Sequence, residues 1–194
     1  MGELASYRLA DFILFSPTAY YRQFELYNQA VWPLQLVAVL FCLLIGYALW
    51  RKPAWGGRVV SALLVLSWCW VAWAFLYQRF YQIHVVADTY ALGFVLQAGL
   101  LGWFGVVKNR LGVMAVSRPR VIIGVGVLII ALVFYPFIAL VSGRSWLEFE
   151  MFGLAPDPTV LATLAVLFVY QAPWVLYVIP VVWVLVRGVT LFVM

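Results

Sequence analysis

His84 and Asp88 are four residues apart, so on a helix their side chains share a face. An imidazole held by a carboxylate can relay a proton near neutral pH or contribute to an ion site. The simpler reading needs no such chemistry: Asp88 stabilises a helix N-terminus and His84 lies among lipid head groups. With one histidine in the chain and neither Cys42 nor Cys69 near it, the set is poor for a transition metal. No metal, cofactor or catalytic residue is therefore assigned. Arg144, Glu148, Glu150 and Asp157 follow in one polar stretch, and Asn28 and Arg79 fall at the same level of the chain's expected architecture. Together Asn28, Arg79, His84, Asp88, Arg144, Glu148, Glu150 and Asp157 form a candidate outer-face polar site. Glu148 and Glu150 are two apart, which suits an extended stretch or a wet rim of ion pairs. Hydrolysis by paired carboxylates would need a defined separation and one raised pKa, and this spacing fixes neither.

The elements that must position these residues are almost wholly apolar. Of 194 residues, 67% are hydrophobic and 10% charged, and the mean hydropathy is +1.05. Soluble domains carry about a quarter charged residues. The expected fold is all-α, a polytopic transmembrane bundle of six spans preceded by an amphipathic segment. Residues 1–30 form that interfacial segment, with Tyr20, Phe24 and Tyr27 or Asn28 at helical spacing, and residues 31–194 form the membrane domain. No signal peptide is expected, because Glu3 and Asp11 interrupt the start. The spans run about 31–50, 59–77, 85–107 and 121–141, the last kinked at Pro136. Pro156-Asp157-Pro158-Thr159 reads as a helix start capped by Asp157 or Thr159. Gln171-Ala172-Pro173 reads as a turn that divides the last quarter into two short helices; a single long kinked helix, giving five spans, is the alternative.

Charge sets the orientation. Arg51, Lys52, Arg58, Lys108, Arg110, Arg118 and Arg120 crowd two short loops, while all seven acids lie in the other segments. This predicts a bacterial cytoplasmic (inner) membrane protein with its basic loops inside and its N-terminus outside. The net charge of +5 then reflects anionic lipid rather than nucleic acid. Ala98, Gly99, Gly102 and Gly105 form a small-residue face suited to close helix packing.

The chain resembles a family of bacterial integral membrane proteins of about this size whose function is uncharacterised. The likeness covers nearly the whole chain. It rests on Tyr27-Asn28-Gln29-Ala30-Val31-Trp32-Pro33, on Ser67-Trp68-Cys69-Trp70-Val71-Ala72-Trp73, on Ala91-Leu92-Gly93-Phe94-Val95-Leu96-Gln97, and most specifically on Phe152-Gly153-Leu154-Ala155-Pro156-Asp157-Pro158-Thr159 with Ile179-Pro180-Val181-Val182-Trp183. Relatives tend to carry cysteine where this chain has Asp157, and often histidine near Gln78. The resemblance therefore implies a membrane architecture and a special outer loop, and no thiol or metal role. The function expected from all this is a structural or accessory subunit of a membrane assembly. Its partners would be lipid and other membrane subunits or further copies of itself. The alternatives are a transporter or channel for a small solute or ion entered from the outer face, and a membrane-embedded enzyme. Buried polar pairs would favour transport.

Overall fold

The long apolar runs form helices, whose backbone groups pair largely within each segment. The computed structural model describes residues 17–82, 87–112 and 117–193. His84 and the segment before residue 17 lie outside the described residues, so the His84–Asp88 pairing is not among the contacts that follow. The described residues are helical and loop, with no strand. We number the helices α1 (Pro17–Ala30), α2 (Leu34–Arg51), α3 (Gly56–Tyr77), α4 (Ala87–Val107), α5 (Arg118–Val141), α6 (Pro156–Tyr170) and α7 (Val178–Val193). Helices α2 to α5, at 18 to 24 residues, are long and apolar enough to cross a membrane, whereas α6 and α7 are shorter. Successive helices from α2 to α7 run antiparallel, with α5, α6 and α7 meeting where Tyr135, Asp157 and Arg187 touch. One end of the bundle thus collects the basic loops and the other collects the described acids.

Three of the long helices change pitch. π-Helical turns occupy Val71–Tyr77 in α3, Gly102–Val107 in α4 and Ile130–Phe134 in α5. The one in α5 immediately precedes Pro136, whose ring and missing N–H cannot be fitted into an unbroken α-helix.

Small residues bring the helices together. A Cβ on Gly105 of α4 would lie 2.1 Å from Ser61 Oγ of α3, and one on Gly124 of α5 would lie 2.1 Å from a Val169 methyl of α6. Ala98 is buried and Gly102 meets Val65 of α3, but Gly99 has nothing within 4 Å. The small-residue face of α4 is thus mostly spent inside this bundle.

Helix α6 is the most buried of the helices. All of its residues except Leu161, Leu164 and Phe168 are buried. It spans roughly 22 Å at 1.5 Å per residue. Its hydroxyls are satisfied in a ladder: Thr159 Oγ1 donates to the Ala155 carbonyl at 2.6 Å, and Thr163 Oγ1 donates to the Thr159 carbonyl at 2.8 Å. The fully buried Trp68 of α3 donates from Nε1 to Thr163 Oγ1 at 2.8 Å, and its ring lies 4.3 Å from that of Phe94 on α4.

At the acidic end α1 packs against α3 and the Trp146–Glu148 turn. Its Phe24 stacks on Phe75 of α3 with centroids 4.7 Å apart, and Trp70 Nε1 donates to Tyr27 Oη at 2.8 Å. Trp70 therefore packs inward, while Trp73 and Tyr77 of the same helix are exposed.

Candidate functional site

The segment from Ser142 to Ala155 joins α5 to α6 and turns back into the bundle. It opens with a short turn at Trp146–Glu148, where Ser145 Oγ accepts from Leu147 N–H and Glu148 accepts from Ser145 N–H. Asn28, buried at the end of α1, donates through Nδ2 to the carbonyls of Leu147 (2.9 Å) and Phe149 (2.8 Å), and Gln35 donates to the Asn28 carbonyl at 2.9 Å. Two amides thus hold the loop to the start of α2.

Beyond Phe149 every residue to Val160 is buried. Gly153 adopts φ +76°, and a Cβ there would lie 3.3 Å from Ser67 Oγ. Ser67 is ten residues short of the Tyr77 end of α3, which puts the loop about 15 Å below that end. Non-helical backbone at that depth must find its partners within the protein. Gly153 N–H donates to Thr159 Oγ1 at 2.8 Å, and Leu154 and Ala155 N–H both donate to the Met151 carbonyl.

The expected helix cap is not made. Ala155 occupies the N-cap of α6 and no side chain accepts from the first turn. The reason lies in the two prolines: Pro156 and Pro158 remove two of the three N–H groups that a cap would serve. The Asp157 carboxylate turns sideways instead. Its Oδ2 accepts from Arg187 Nε of α7 at 2.5 Å and from Tyr135 Oη of α5 at 3.1 Å, and its Oδ1 accepts from Trp183 Nε1 at 2.7 Å. Arg187 and Asp157 are both largely buried. Trp183 packs edge-on against Phe94 (5.0 Å) and Tyr90 (5.5 Å). A cleft of about 240 Å³ between α5, α6 and α7, walled by Val160, Leu161, Val184 and Gly188, reaches this cluster from the side.

Beside it lies a second pair. Arg144 Nη1 is 3.8 Å from Glu150 Oε1, with both side chains largely buried, and the Arg144 guanidinium sits 3.9 Å over the Tyr21 ring. The pair is close enough for charge attraction but makes no hydrogen bond. Glu150 Oε2 and Arg144 Nε and Nη1 meet no hydrogen-bond partner among the described residues. Burial, and then the negative charge of Asp157, push the Glu150 carboxyl up to about 8, against the pull of Arg187 and Arg144. The site is therefore two guanidiniums and two carboxylates, one carboxylate hydrogen-bonded at both oxygens and the other with Oε2 unpartnered among the described residues.

The structure gathers Asn28, Arg144, Glu148, Glu150 and Asp157 around this loop. Arg79 lies close enough to Tyr27 for its charge to act on that hydroxyl. Asp88 is exposed and accepts from Thr89 N–H at 2.7 Å, so its carboxylate serves the first turn of α4. Among the described residues no three of His, Cys, Asp and Glu gather as a metal site. Tyr135, Trp183 and Arg187 were not among the residues expected to form the site. A signal for two of them exists: Trp183 and Arg187 are four apart, and Arg187 is the one charge in an otherwise apolar run.

Fold and site together define an all-helical bundle, with four helices long and apolar enough to cross a membrane, built around a buried charge cluster beneath an inward-turning loop. The chain belongs to a family of unknown function (DUF6064), matched over residues 17–194. No curated protein and no solved structure matches it.

Proposed function

We propose that the chain crosses a bacterial cytoplasmic membrane six times, N-terminus outside, and moves a small anion together with a proton from an entrance at its acidic end. In this arrangement α1 lies at the outer interface, and α6 and α7 form a thin fifth and sixth crossing. The observation that carries the reading is Glu150, a buried carboxylate with one unpartnered oxygen beside a second buried carboxylate and two guanidiniums. Ionised, it leaves the cluster neutral. Protonated, it leaves one positive charge over, which a small monovalent anion would balance. Proton and anion uptake are thereby linked. Ionisable groups held inside a membrane bundle are functional sites by default, and a loop buried within protein at that depth is a recurrent place for them.

The test is flux in liposomes of neutral lipid that enclose a pH dye. An inward gradient of chloride, nitrate or formate should acidify the lumen of vesicles holding the wild-type chain, and Glu150→Gln should remove the proton movement. Acidification no faster than in empty vesicles for every anion would sink the proposal.

A second reading, an accessory subunit that packs against other helices or further copies, is favoured by Gly93 and Gly99 on α4. Both have nothing within 4 Å of an added Cβ and so offer a close-approach surface. Gly99→Leu should then leave the monomer folded and abolish association in detergent. An unchanged assembly would remove this reading.

A further inference from the structure

We propose that the cleft between the basic-end termini of α2 and α5 binds the phosphate head group of an anionic phospholipid. The cleft, about 550 Å³, is lined by Trp50, Lys52, Arg118, Val121 and Ile122. Its rim carries two cations from different helices. Its wall continues as apolar surface, with Ile122 62% exposed and Trp50 64% exposed. That polarity gradient matches a lipid: phosphate at the rim, glycerol and chains along Val121 and Ile122. A soluble phosphate would use the rim and leave the wall idle.

The two cations are well placed. Lys52 closes α2, its N–H bonded to the Ala48 carbonyl and its backbone in the left-handed region at φ 51°. Arg118 opens α5 and makes no ion pair or hydrogen bond among the described residues. Ser117 provides no side-chain cap there, so the free N–H groups of that helix end add to the positive potential. At the same end of the bundle Arg120 lies 5.5 Å over the Phe168 ring and Lys108 lies 4.9 Å over Trp103. The inference rests on the membrane placement proposed above and is independent of transport.

The full chain, stripped of lipid in detergent, would be titrated with phosphatidylglycerol or with phosphatidylcholine of the same acyl chains, and bound lipid counted by native mass spectrometry. Phosphatidylglycerol should be retained preferentially. Lys52→Asn, chosen because asparagine tolerates the left-handed backbone, and Arg118→Gln should each weaken retention on the order of fivefold. Arg51→Gln and Arg110→Gln, outside the cleft, should not. Arg118→Gln alone carries the test if Lys52→Asn fails to fold, since Arg118 is exposed. Equal retention of both lipids, or phosphatidylglycerol binding undiminished in Arg118→Gln, overturns the proposal. So does thermal stabilisation by inorganic phosphate that matches that of the lipid, because the site would then serve a soluble anion. Flux in neutral liposomes should be unaffected by these variants, so the two readings fail separately.

Discussion

Asp157 is held by an arginine, a tryptophan and a tyrosine from two other helices, so it is costly to remove alone. Asp157→Ala leaves Arg187 buried without its carboxylate, a loss of about 3–5 kcal/mol. Replacing both as Asp157→Leu with Arg187→Leu should recover most of that. Thermal unfolding in detergent reads both, and a single variant that melts with the wild type would refute the pairing. Glu150 gives a pH dependence of definite sign. Its folded pKa, about 8, lies above its ordinary 4.5, so the folded state holds the extra proton between those values. Its contribution is complete below about pH 4.5 and is lost as pH rises to about 8, at no more than roughly 1.4 kcal/mol per pH unit. The melting temperature of the wild type should therefore fall over that window more steeply than that of Glu150→Gln; parallel curves would show Glu150 ionised throughout. These roles were only half legible in the sequence. The Pro156-Asp157-Pro158-Thr159 run announces a helix start, and so invites reading Asp157 as a cap. Its actual partners are 22 to 30 residues away, and no local pattern encodes contacts of that range.

Helices read more easily than partners, because length and hydropathy are local. The four long apolar runs are helices close to their expected bounds, and the turn at Gln171-Ala172-Pro173 ends α6, with Gln171 in the left-handed region at φ 50°. The π-turns of α3 and α4 have no such signature; only Pro136 hints at the one in α5. Nor does any pattern say that the loop after α5 turns inward. Its depth depends on Gly153, where a left-handed backbone and close approach to Ser67 coincide. Gly153→Ala should cost about 1–2 kcal/mol for the backbone alone, with more from the tight contact. Hydrogen exchange should show faster opening of residues 150–155 than of α3. Protection equal to wild type in that loop would mean that the glycine is dispensable.

For the whole molecule, the separation of charge between the two ends supports one orientation. In a chain with Cys42 and Cys69 replaced by serine, a membrane-impermeant thiol reagent added to intact cells should label Ser145→Cys. It should not label Arg51→Cys or Arg110→Cys until the cells are opened. Labelling of either basic-end cysteine from outside would invert the arrangement. The burial of α6 also bears on how the protein is made. Four long helices emerge from the ribosome before the short buried helix that packs on α3 and α5, so for a time the nascent bundle lacks its most buried element. The glycines that receive α6, such as Gly124 against Val169, have nothing to receive until then. Assembly therefore cannot finish helix by helix in order of synthesis. Helices α3 and α4 can already pack on each other through Gly105 and Ser61, but the Asp157–Arg187 pair closes only after α7 has followed α6.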